Sequence, residues 1–167
     1  MQSKRTPAAN IALGGVLAAL ALVIMSMGTL IPVATYVCPM LCILILKGVV
    51  RTGGNRIGWA WFGAVAILSL LLAPDKEAAA VFCAIGYYPI VKPALDKRKL
   101  PWLRKGLLFN ASILALYGVL MYVLGMEQIL QEFEGVGIAM TAVTLILGNV
   151  TFFMLDRLLG MRFIRRK

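Results

Sequence analysis

The residues able to do chemistry are few, and they sit at or near the ends of long apolar runs. At 73–78 the chain reads Ala-Pro-Asp-Lys-Glu-Ala, where three charges meet between two apolar runs. Asp75 and Glu77 stand where a helix would begin, and exposed N–H groups there favour negative charge. Capping alone accounts for them; the competing reading is that Lys76 and the two acids face an external opening and bind polar groups of a solute. Further on comes Gly86-Tyr87-Tyr88-Pro89-Ile90-Val91-Lys92. Pro89 frees a backbone carbonyl about one turn earlier, and Tyr87 and Tyr88 carry hydroxyls that need partners if buried. Asn110, and Asn149 with Thr151, lie at similar depth in two later runs. A polar group there is costly unless paired, so this set is either glue between helices or a polar floor beneath a solute pocket.

What is missing narrows the chemistry further. There is no histidine, which removes the commonest general base and the usual neutral metal ligand. Cys38, Cys42 and Cys83 lie inside apolar runs without CxxC spacing, so they read as buried hydrophobes and no metal site is expected. No Walker A, HExxH or GxSxG pattern occurs, leaving ATP hydrolysis, metalloprotease and serine-hydrolase chemistry without support. We expect no catalytic residues and no cofactor. Nearly every charge sits at the end of a run, whereas autonomous ion-coupled transport places ionisable groups near the bilayer centre.

The elements that must position these residues follow from composition. Of 167 residues 61% are apolar and 14% charged, with a mean hydropathy of +0.89; a soluble domain is about 45–50% apolar and about 25% charged. Apolar runs at 8–28, 36–50, 57–73, 78–91, 106–125 and 136–155 are separated by glycine, proline and charged clusters. Alternating polarity is absent, and hydrocarbon cannot satisfy backbone polar groups, so these runs predict an all-α integral membrane protein. The expected architecture is one compact bundle of six transmembrane helices over residues 1–167. The net charge of +10 does not require nucleic acid, because the positions of the charges explain it. All lysines and arginines except Lys76 fall on one side of such a bundle, whereas Asp75, Glu77, Glu127, Glu132 and Glu134 fall on the other. This asymmetry places both termini in the cytoplasm and makes the chain a multi-pass membrane protein. Lys4-Arg5 before an apolar stretch resembles a secretory signal, but the stretch at 11–27 exceeds the 7–15 residues of an h-region, so a retained helix is expected.

Several segments point to partners. The first run holds Ala8-x-x-x-Ala12, Gly14-x-x-x-Ala18 and Gly15-x-x-x-Ala19, which let another backbone approach closely, either from this chain or from a different subunit. The connection at 92–105 interleaves Leu100, Trp102 and Leu103 with cations, a pattern suited to an anionic membrane surface. Residues 126–134 form either a short amphipathic turn over the outer mouth or a capping loop on the headgroups. Asp156-Arg157 places an acid beside a base at the inner interface; adjacent residues do not face each other on a helix, so each needs a partner elsewhere.

Six helices, both termini inside, small residues spaced by four on the first helix and polar outer loops together resemble the substrate-capture (S) subunits of energy-coupling-factor (ECF) transporters. The resemblance implies that the face of the first helix, with Ala8, Ala12, Gly14, Gly15, Ala18 and Ala19 as candidates, docks a shared transmembrane coupling subunit joined to ATPase subunits. It also implies capture of a small molecule by outer loops and outer helix halves, by position Tyr36, Asp75, Lys76, Glu77 and Glu127. The missing histidine argues against nickel or cobalt as the solute. Two other functions compete: a non-transporting accessory or scaffold protein, and a small lipid-modifying enzyme using Asp75, Glu77 or Asp156.

Overall fold

Long apolar runs without alternation fold as helices in a computed structural model of the chain, which describes residues 7–27, 34–97, 99–122 and 127–161. The elements are α1 (Pro7–Ser26), α2 (Ala34–Leu72), α3 (Lys76–Ile85), α4 (Tyr88–Asp96), α5 (Pro101–Tyr122) and α6 (Glu127–Gly160). No strand occurs among the described residues. Among the described residues two stretches, Tyr36–Leu72 and Lys76–Asp96, are long and apolar enough to cross a membrane, and Ile11–Ser26 is a shorter apolar helix. The described residues fall into two units, Met1–Lys97 and Arg98–Lys167.

In the first unit α2 reverses direction at Gly54. That residue has φ 80° and ψ 177°, a conformation essentially reserved for glycine. If α2 were straight, its ends would lie roughly 57 Å apart. Instead Tyr36, near its start, donates a hydrogen bond to Glu77, beyond its end, at 3.1 Å. A methyl added to Gly58 would lie 2.6 Å from Val50 Cγ2, although eight residues of straight helix span about 12 Å. The expected second and third runs are thus the two arms of one hairpin, 34–53 and 55–72. The indole N–H of Trp61 on the second arm donates to the Gly14 carbonyl of α1 at 3.0 Å. Cys42 on the first arm donates its thiol to Ala21 O at 3.6 Å. The second arm runs antiparallel to α3 and α4, since Phe62 packs on both Phe82 and Tyr87 and Gly58 approaches Ile90. Met25, Ile43, Leu46, Val65 and Phe82 form the buried centre.

The fourth apolar run is divided. Gly86 and Tyr87 form a turn between α3 and α4, where Pro89 has no N–H to offer Ile85. A methyl on Gly86 would lie 2.3 Å from Phe82 O and 2.9 Å from the Phe62 ring. Pro93, which falls in the connection expected at 92–105, lies inside α4.

The second unit is an antiparallel pair, α5 against α6. Phe109 stacks on Phe152 with centroids 4.6 Å apart at 18°, and the Phe153 ring passes over Gly106 as the Phe109 ring does over Gly148. Pro101 opens α5, where its missing N–H has no helical partner to lose. Helix α6 begins at Glu127, nine residues before the expected run, so residues 127–135 are helix and not a connecting loop. Glutamate and glutamine are good helix formers, and acids suit the first turn.

Candidate functional site

The charged connection after α2 joins two helix ends. Asp75 caps α3, its carboxylate accepting from Ala78 N at 2.9 Å. The Lys76 ammonium donates to Leu70 O at 2.8 Å and Leu71 O at 3.3 Å, carbonyls that the last turn of α2 leaves without helical donors. Glu77 accepts the bond from Tyr36, which is 48% exposed. The four predicted residues of this group therefore come together around one helix end, with Asp75 and Lys76 closing backbone groups and Tyr36–Glu77 tying the start of α2 to α3. The fifth, Glu127, has its backbone in α6, and its side chain lies outside the described residues.

The tyrosines and asparagines expected in one inner network are placed in different units. Tyr87 stacks on Trp59, centroids 6.4 Å apart at 11°, and meets Phe62 edge-on. Tyr88 is 1% exposed, so it lies in the core of its unit; the Lys92 ammonium stands 6.0 Å from its ring centroid and 3.8 Å from Asp96. In the second unit Asn110 and Asn149 exchange side-chain hydrogen bonds at 2.9 and 3.0 Å. Each amide also donates to its own helix, to Gly106 O and Leu145 O. Thr151 turns back to Leu147 O at 2.8 Å and is exposed.

A stronger pair was not anticipated. The Lys105 ammonium lies 3.0 Å from the Asp156 carboxylate, with side chains 8% and 17% exposed. The signal was present in the sequence: Lys105 immediately precedes the fifth apolar run and Asp156 immediately follows the sixth, which gives them equal depth on antiparallel helices.

Helix α1 sorts its small residues by face. Gly14 is buried and holds the Trp61 indole through its carbonyl, and Ala18 is half-buried. Ala8, Ala12, Gly15 and Ala19, at steps of four, three and four, are exposed along one line. Ile11 and Val16, 66% and 68% exposed, flank it. This apolar face is opposite the one carrying Ala21 and Met25, both fully buried.

An open groove of about 570 Å³ runs along α6 between Leu145 and Arg157, lined among the described residues by that helix. Among the described residues no three His, Cys, Asp or Glu side chains gather as a metal site. Compared with protein-family models, curated proteins and solved structures, the chain matches none.

Proposed function

We propose that this chain is a six-span protein of the bacterial inner membrane with both termini cytoplasmic, acting as the solute-binding subunit of an ECF-type uptake transporter. It captures a small molecule at the outer face and depends on partner ATPases for energy. The observation that carries this reading is the α1 face, where Ala8, Ala12, Gly15 and Ala19 lie exposed in one line. In lipid, small residues gain by letting a second backbone come close, and they gain little when left against acyl chains. Gly14 already serves the chain's own packing through Trp61, so the outward line is the part left for a coupling subunit. The Tyr36–Glu77 pair, with a half-buried carboxylate at the end of the hairpin, is the proposed contact for solute.

A second reading is a non-transporting scaffold. It is favoured by the connection at 73–77, where Asp75 and Lys76 are engaged with backbone groups of this same chain.

Native mass spectrometry of the tagged chain, extracted with a mild detergent from its own membranes, separates the two. Transport predicts a complex with a transmembrane partner and two ATPases, lost in Ala12→Leu/Gly15→Leu and kept in Leu71→Phe, together with an extractable small molecule. A partner complex without solute supports the scaffold, and an isolated chain without solute contradicts both.

A further inference from the structure

A group of sulfur-bearing side chains is buried between α1 and the first arm of α2. Moving away from the Gly54 reversal, the first arm passes from Val50, which meets Gly58, to Cys42, whose thiol reaches Ala21 O at 3.6 Å. In the same direction α1 passes from Gly14, held by Trp61, to Ala21. The two segments are therefore antiparallel, and one further turn brings Met25 of α1 level with Cys38 of the first arm. Cys38 and Cys42 are four residues apart, as are Ala21 and Met25, so each pair shares the helix face on which Cys42 meets Ala21. Met25 and Cys42 are fully buried, and Cys38 is 5% exposed. The spacing of the cysteines is no metal motif in the sequence; the third sulfur comes to them through the packing of α1 on α2.

We propose that Met25, Cys38 and Cys42 form a binding site for a Cu(I) ion, separate from the capture of solute. Two thiols and a thioether are soft donors, and such donors select Cu(I) over harder cations. Zinc closes a structural site with four ligands, one more than these three residues offer. Cu(I) carries a single charge, which one thiolate cancels. The second thiol and the Met25 thioether then supply neutral lone pairs, so the loaded site is uncharged where burial makes net charge costly. Binding breaks one S–H bond, releases that proton to solvent and forms copper–sulfur bonds, with no change in oxidation state. Met25, unbranched and polarisable, can adjust its reach to the ion.

The test titrates the purified full chain, kept reduced, with Cu(I) held by bicinchoninate, and counts retained copper by native mass spectrometry. The wild type withdraws one Cu(I) per chain, with an affinity that rises about tenfold per pH unit near neutrality because one proton leaves. X-ray absorption shows a shell of sulfur alone around the metal. Cys38→Ala/Cys42→Ala loses the copper. Met25→Leu, which conserves volume, keeps the ion with one sulfur fewer. Cys83→Ala, whose thiol lies 3.9 Å from Ala66 O on the other arm, behaves as the wild type. No copper in the wild type overturns the site, as does copper that stays in the double cysteine variant or leaves with Cys83. An affinity independent of pH also overturns it, because no thiol has then given up its proton. If the cysteine variants do not fold, the wild type and Met25→Leu decide: loss of one sulfur from the shell supports the site, and an unchanged shell, or one of nitrogen and oxygen, contradicts it.

Discussion

Paired polar groups in the second unit illustrate how position decides cost. Breaking the Lys105–Asp156 pair on one side leaves a largely buried charge, so Lys105→Met is expected to destabilise the folded chain by about 3–5 kcal/mol. Lys105→Met/Asp156→Leu removes both charges and should recover most of that loss; unfolding in detergent measures both. The Asn110–Asn149 exchange is weaker, with a coupling of about 0.6–1.7 kcal/mol expected from a double-mutant cycle with leucine at each position. The two asparagines were legible in the sequence because an amide inside an apolar run demands a partner. The ion pair was not recognised, because Lys105 stood among the basic residues that topology requires and Asp156 beside Arg157. Solute chemistry was illegible for another reason: Asp75, Lys76 and Glu77 are residue types that cap helix ends as readily as they bind a ligand.

At the scale of elements, glycine and proline were good guides where the backbone is unusual. Gly53-Gly54 marked the reversal of α2, and φ 80° at Gly54 explains why. Gly54→Ala should lower stability by about 1–3 kcal/mol, whereas Gly48→Ala, which meets no atom within 4 Å, should not lower it. The thermal midpoint of each purified variant, read by circular dichroism in detergent, checks the pair. Trp61→Phe removes the indole donor to Gly14 O and should cost about 1 kcal/mol, loosening α1 from α2. The same punctuation misled at 127–135, the charged and glycine-containing stretch between the fifth and sixth expected runs; α6 runs through it. Glycine in a helix carries a penalty that favourable neighbours outweigh, so composition alone did not mark the start of α6.

For the whole molecule, the proposed function needs the connection at 73–75 outside and the basic connection near 99 inside. The orientation in this proposal rests on the placement of lysine and arginine. The partner and solute depend on surfaces whose residue types are common in any membrane helix. The most direct test is reporter labelling in a background lacking Cys38, Cys42 and Cys83. Pro74→Cys and Lys99→Cys, both at exposed positions, are treated in intact cells with a membrane-impermeant maleimide. Labelling at 74 without permeabilisation, and at 99 only after it, is the expected result. The reverse pattern would turn the Tyr36–Glu77 end toward the cytoplasm and contradict uptake from outside.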